Sequence, residues 1–132
     1  MAELTARQAK LLEAPNFAHV ATIRRDGSPH VTAIWVDWDG EHILLNSAQG
    51  RAKVEHIRRD PRVAVSVSDN SDEYRNLRVR GTAEIVDEGE EAWRHIDKLQ
   101  QKYHGSPTYP RGGPQRVLIR VKPERVTAYN ID

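Results

Sequence analysis

The stretch Ile43-Leu44-Leu45-Asn46-Ser47-Ala48-Gln49-Gly50-Arg51-Ala52-Lys53-Val54 changes character twice. An apolar run stops at Leu45. Small polar residues and a glycine follow. Arg51 and Lys53 then open an amphipathic turn that runs to Ile57 and closes at Asp60-Pro61. This pattern predicts a strand, a tight turn and the start of a helix. A helix start presents unpaired N–H groups and the positive end of the helix dipole, and so attracts phosphate. A hydroxyl, an arginine fork and a lysine charge on the same turn strengthen that attraction. Asn46, Ser47, Arg51, Ala52 and Lys53 are therefore candidates for holding an anion, most simply a cofactor phosphate. The competing reading is a capped surface helix with solvated basic residues.

The pattern continues outward on both sides. Upstream, residues 3–13 carry Leu4, Leu11 and Leu12 near one helical face, with Thr5 as a candidate cap and Ala14-Pro15-Asn16 as the stop. Residues 17–25 and 30–38 are rich in β-branched and aromatic side chains and predict strands. Asp26-Gly27-Ser28-Pro29 and Asp39-Gly40 predict the turns. With residues 41–46, these strands make an expected three-stranded antiparallel meander. Downstream, residues 62–68 alternate as a strand, with Val63, Val65 and Val67 on one face. Residues 69–73 predict a polar loop. Residues 75–86 predict a long strand whose Gly81 marks a bulge or sharp bend. A helix is expected over 88–103, with Trp93, Ile96, Leu99 and Tyr103 on one face. A Gly- and Pro-rich loop follows over 104–115. A last strand over 116–122 is interrupted at Pro123 and resumes over 125–130. Six or seven strands with a glycine-kinked long member favour a small closed or half-closed barrel with flanking helices, in one domain spanning 1–132.

The bulk properties exclude several classes. The chain has 132 residues, enough for one core, with a net charge of +1 and no cysteine. Disulfides, thiolate nucleophiles and cysteine-ligated metals are therefore excluded. The charge balance lacks the basic excess of a nucleic-acid binder. No apolar stretch approaches the roughly 20 residues of a membrane-spanning helix. Residues 1–14 form a charged amphipathic segment rather than a signal peptide, so the cytoplasm is the expected compartment.

The reactive inventory is also thin. The six histidines show no paired spacing with an acid, so no metal site is expected. No Gly-x-Ser-x-Gly elbow, dinucleotide fingerprint or P-loop occurs. No carboxylates pair into an acid–base dyad. If the protein is an enzyme, its reactivity belongs to a cofactor and no side chain is catalytic. On that view Trp35, Trp38 and Tyr74 offer flat contacts for a planar ring. His30 opens the strand facing the anion turn and is placed either near the ring or on the exposed strand start. An alternating strand over 30–38 puts Thr32, Ile34, Val36 and Trp38 on one face, and Val31, Ala33, Trp35 and Asp37 on the other.

Four stretches, in order, carry a family resemblance. They are Ala21-Thr22-Ile23-Arg24-Arg25-Asp26-Gly27-Ser28-Pro29-His30-Val31, Arg51-Ala52-Lys53 leading to Arg58-Arg59-Asp60-Pro61-Arg62-Val63, Val79-Arg80-Gly81-Thr82-Ala83, and the closing segment from Arg116 to Val126. Together they make the chain resemble the pyridoxamine 5'-phosphate oxidase-like split β-barrels of the flavin/deazaflavin oxidoreductase superfamily. The resemblance implies a mainly β fold, a six-stranded antiparallel split barrel, and a homodimer with cofactor sites between the subunits. It implies that Ser47, Arg51 and Lys53 hold the phosphate. It implies that the ring lies along Thr32, Ala33, Ile34 and Trp35, and that Tyr74 and Arg75 of the partner chain close the site. The ending Ala128-Tyr129-Asn130-Ile131-Asp132 lacks the Arg-x-His substrate motif of true pyridoxamine phosphate oxidases. The Arg-Ala-Lys spacing and the Tyr74-Arg75 loop look more like the branch that uses the deazaflavin coenzyme F420. Arg58, Arg59, Arg75 and Arg78 are available for that coenzyme's acidic tail. The expected activity is hydride transfer from reduced F420 to a small electron-poor acceptor such as a quinone, an enone or a tetrapyrrole. FMN is the alternative cofactor. A non-catalytic flavin, deazaflavin or haem carrier is the alternative function.

Overall fold

The computed structural model describes residues 2–132. Its elements in chain order are α1 (Ala6–Glu13), β1 (Ala18–Ile23), β2 (Pro29–Ile34), β3 (Val36–Trp38), β4 (Ile43–Ala48), α2 (Ala52–Arg59), β5 (Arg62–Asp69), β6 (Asp72–Asp87), α3 (Glu90–His104) and β7 (Arg116–Tyr129). All paired strands are antiparallel, in one sheet of order β2-β1-β5-β6-β7-β4-β3. No helix among the described residues is long and apolar enough to cross a membrane.

The edge strands explain the curl. β2 and β3 lie at opposite ends of the sheet, yet Trp35 alone separates them in the chain. In a flat sheet of this width the edges would stand about 29 Å apart. Residues 34 and 36 can be at most about 7 Å apart. The sheet therefore has to roll into a half-barrel. This corrects two expectations. The segment 30–38 is two strands rather than one, which raises the count from the expected six to seven. The 17–46 region is not a meander, because β2 pairs with β1 and β3 pairs with β4. The predicted alternation also ends at Trp35, where Val36 and Asp37 are both buried.

Local chemistry sets the connections. Thr5 and Gln8 form a reciprocal capping box at the start of α1, and Thr5 Oγ1 also donates to the Asp132 carbonyl at 2.8 Å. The Asp39 carboxylate accepts from the Glu41 and His42 N–H groups, making the β3–β4 connection a four-residue loop rather than a two-residue one. The expected loop at 69–73 shortens to a tight turn at Asn70-Ser71, because Asp69 accepts from both Ser71 N and Ser71 Oγ.

A bulge falls at Gly81, as its position predicts, with the extra residue, Glu124, on the facing strand β7. A Cβ on Gly81 would lie 2.1 Å from the Lys122 carbonyl oxygen. The register shift at Arg80/Gly81 places Pro123 opposite Gly81, so Pro123, which has no N–H to donate, sits where the ladder is already broken. β7 therefore runs unbroken from Arg116 to Tyr129, where an interruption was expected.

The core fills the inside of the curl with Leu12, Val20, Val36, Ile43, Leu45, Val54, Val65, Val79 and Ile119. Each such side chain contributes about 2 kcal/mol of burial. α3 presents Ala92, His95, Ile96 and Leu99 to the sheet, and Gly105 ends it at a φ of 73°. The half-buried Trp93 and Tyr103 complete most of the predicted face.

Candidate functional site

β4 extends two residues beyond its predicted end, so Ser47 and Ala48 join Asn46 in the strand and the turn is Gln49-Gly50-Arg51. Gly50 adopts a φ of 89°, which side-chain-bearing residues rarely do. Arg51 is the N-cap residue of α2 but makes no side-chain cap bond, leaving the first helical turn open. Lys53 follows on the helix and is only 7% exposed.

A pocket of about 250 Å³ lies against this turn. β2 and the residue after it contribute Ala33, Ile34 and Trp35. β4 contributes Asn46 and Ser47, the turn and α2 contribute Arg51 and Lys53, and β7 contributes Arg116. Phe17, Ile96 and Tyr109 complete the lining. Among the described residues, no carboxylate forms an ion pair with Arg51, Lys53 or Arg116. Burial pushes the Lys53 ammonium below its ordinary range, and repulsion from Arg51 and Arg116 adds to the effect. Burial likewise lowers Arg116, which is 8% exposed; nearby Tyr109 opposes that shift and Arg51 reinforces it. Ser47 Oγ is buried without a hydrogen-bond partner. Buried polar atoms are rarely left unpaired, and uncompensated buried cations are costly. Both features fit a bound phosphate, which offers acceptor oxygens to the hydroxyl and negative charge to the three cations.

Seven of the twelve candidate residues therefore line one pocket: Ala33, Ile34, Trp35, Asn46, Ser47, Arg51 and Lys53. The other five are placed elsewhere on this chain. His30 packs edge-on against His56 at 5.1 Å, with its Nδ1 buried and unpartnered. Thr32 Oγ1 is also buried and unpartnered. Ala52 is exposed on α2. Tyr74 is 63% exposed, and Arg75 pairs with Asp69 at 3.4 Å beside a separate cleft that includes Arg7, Lys10 and Asn130. Two arginines set aside for an acidic tail are also engaged: Arg58 pairs with Glu88 at 2.6 Å, and Arg59 donates to the Ile23 carbonyl.

Arg116 and Tyr109 are not among the candidate site residues that the sequence offered. The Arg116 guanidinium lies 5.1 Å from the centre of the Tyr109 ring, and its Nε donates to Asn46 Oδ1 at 2.9 Å. Only the β4–β7 pairing brings Arg116 opposite Ala48 and so beside the turn. Local spacing carries no sign of that. Trp35 has a stronger setting than its sequence position suggests. It stacks on Tyr103 at 5.1 Å and 10°, meets Tyr109 edge-on at 6.2 Å, and also faces a second groove with His104, Pro110 and Arg111.

A curled antiparallel half-barrel with a basic pocket at one helix start places the molecule among the pyridoxamine 5'-phosphate oxidase-like folds. The chain belongs to the pyridoxamine 5'-phosphate oxidase family, whose model matches residues 4–130. This is a family of oxidoreductases that bind flavin-type cofactors. Among solved structures, the chain is similar to an F420 reductase at 35% identity, with 94% of this chain and 98% of that one covered and a TM-score of 0.82. It is also similar to a conserved hypothetical protein of Mycobacterium tuberculosis at 26% identity, covering 98% and 89%, with a TM-score of 0.76. General stress protein 26 of Bacillus anthracis shares the fold at 17% identity, covering 95% and 92%, with a TM-score of 0.69.

Proposed function

We propose that the protein is an oxidoreductase that uses reduced coenzyme F420 to reduce a small electron-poor organic acceptor such as a quinone, an enone or a tetrapyrrole. The observation that carries this reading is the pocket's cluster of Arg51, Lys53 and Arg116 without a carboxylate, together with the unpartnered Ser47 hydroxyl. The similarity to an F420 reductase supports the choice of deazaflavin. FMN, which carries a phosphate on the same kind of ribityl chain, is the alternative.

When bound, the cofactor supplies the hydride. The chain's own residues bind, orient and shield. Ser47, Arg51, Lys53 and Arg116 hold the phosphate. Ala33, Ile34 and Trp35 give the ring a flat apolar wall. The unpartnered Thr32 Oγ1 and His30 Nδ1 lie further along β2, where a heterocycle's polar edge would find them.

A homodimer is part of the same proposal. On the outer face of the sheet, cross-strand neighbours place Val31, Ala21, Ala64 and Arg80 in one row. Val31 is 59% exposed there, beside a shallow groove of about 320 Å³. Small side chains next to exposed apolar ones suit a second copy of the same surface. Tyr74 and Arg75 lie outside this chain's pocket, and the same proposal assigns them to the partner's, where Arg75 would exchange its pairing with Asp69 for the cofactor.

The test is titration of the apoprotein with F420 and with FMN, each oxidised and reduced, followed by acceptor reduction assays. Tight F420 binding with turnover is the expected result. Binding of FMN alone moves the assignment to the flavin. Tight binding without reduction of any acceptor identifies a carrier, and binding of neither refutes the reading.

A further inference from the structure

Apart from Asn16 and Thr22, every buried polar residue described belongs to one region: Asp37, Asn46, Ser47, Lys53, His95 and Arg116. Ser47, Lys53 and Arg116 face the pocket. Asp37 and His95 do not line it, yet they connect to it through an unbroken chain of hydrogen bonds.

The donors and acceptors of that chain fix its direction. Arginine can only donate, so Asn46 must turn its carbonyl oxygen to Arg116 Nε at 2.9 Å. The Asn46 amide nitrogen then points the other way, donating to the Ala92 carbonyl at 2.8 Å and to His95 Nδ1 at 3.2 Å. Because His95 Nδ1 accepts, the ring proton sits on Nε2 and is donated to Asp37 Oδ2 at 3.1 Å. Asp37 is held in turn by the Trp38 N–H at 2.9 Å and Lys98 Nζ at 3.1 Å. Burial alone would raise the Asp37 carboxyl, but hydrogen bonds from His95, Trp38 N–H and Lys98 outweigh it and hold the group well below the usual carboxylate range. Each member has one orientation that satisfies its neighbours, and the chain ends at the guanidinium in the pocket.

We propose that Asp37 and His95 are positioning residues of the phosphate site: through Asn46 they fix the direction in which Arg116 presents its remaining N–H groups to the bound anion. The proposal rests on the phosphate reading of the pocket. A buried Asp-His-Asn chain costs more desolvation than apolar side chains of similar volume. The return is a cation whose fork is aimed before the ligand arrives.

Paired ligands that differ by the phosphate give the test: FMN against riboflavin, and F420 against its phosphate-free deazaflavin core. His95→Phe fills the space but removes both ring nitrogens. It should lower the preference for the phosphate-bearing ligand about tenfold, the scale of one weakened charge-assisted contact, while leaving riboflavin affinity nearly unchanged. His95→Gln can still accept from Asn46 and should restore part of the preference. Asp37→Asn should act in the same direction as His95→Phe. Leu99→Ala, a core substitution on the same helix, should lower the melting temperature and leave the preference intact. If His95→Phe behaves like Leu99→Ala, His95 is merely structural and the proposal is overturned. If Arg51→Ala abolishes the preference while His95→Phe and Asp37→Asn do not, the chain of positioning fails and the phosphate reading stands. If the wild-type protein does not distinguish FMN from riboflavin or F420 from its core, the phosphate reading fails and the proposal falls with it. Nitrogen NMR of the wild-type protein needs no variant to fold. It should show the His95 proton on Nε2 and an Arg116 Nε–H resonance that shifts when inorganic phosphate is added; an unmoved resonance also overturns the proposal.

Discussion

Lys53 offers the sharpest test because one substitution should move stability and binding in opposite directions. The residue is 7% exposed, no carboxylate among the described residues pairs with it, and Arg51 and Arg116 share its pocket. A lysine kept charged in such a place destabilises the empty protein, because desolvation and repulsion are not offset. Lys53→Met keeps the length and the apolar stem and deletes the charge. The apoprotein should become more stable by about 1 kcal/mol, the lower end of what replacing buried charges by apolar groups yields. That corresponds to roughly 3 °C in melting temperature for a domain of this size. The linkage has a definite sign. Lys53 is depressed in the fold from its unfolded value of 10.5, so the unfolded chain binds more protons between the two values. Wild-type stability should therefore rise with pH as the folded value is passed and until 10.5 is reached. The Lys53→Met curve should lack that increment. Binding should go the other way. A lost charge-assisted contact of about 1.5–3 kcal/mol weakens affinity for FMN or F420 about tenfold to a hundredfold. Riboflavin, which lacks the phosphate, should bind both proteins alike. Thermal melts across pH and paired titrations read both effects. If the variant's apoprotein melts several degrees lower, Lys53 is not an uncompensated charge. If the FMN-to-riboflavin ratio is unchanged, Lys53 does not hold phosphate.

Gly81→Val should destabilise the protein by at least about 2 kcal/mol in chemical denaturation, because even its Cβ would collide with the Lys122 carbonyl across the β6–β7 ladder; a midpoint within experimental error of wild type would show that the bulge yields. Trp35→Leu removes the stack on Tyr103 and the pocket wall together, so it should weaken riboflavin and FMN by the same factor, unlike the Lys53 variant; unequal losses would remove Trp35 from the ring contact. Val31→Lys places a charge on the exposed edge-strand end of the outer-face row and should shift sedimentation from two chains per particle to one; an undisturbed dimer would locate the interface elsewhere.

The sequence alone determined what depends on near neighbours along the chain. The Thr5 cap, the helix starting after Gly50, the inward valines of β5 and the bulge at Gly81 follow from side-chain preference, period and backbone freedom, all set within a few residues. The same locality made Ser47, Arg51 and Lys53 legible as an anion turn. Tertiary structure decided what depends on closure. Trp35 looks like the middle of one strand, because nothing local shows that β2 and β3 belong to opposite edges of a sheet that must roll to join them. Once it rolls, β7 is laid beside β4, and Arg116 arrives next to a turn far away in sequence. The same packing sets α3 over β3 and β4, so that His95 meets Asp37 and Asn46. Burial was likewise invisible in the sequence: Lys53 is expected near the surface from its place on a short basic helix, and the fold encloses it. Local patterns specify strands, turns and caps because those are short-range energies. The third cation and the chain that aims it come from long-range pairing, which no spacing along the sequence encodes.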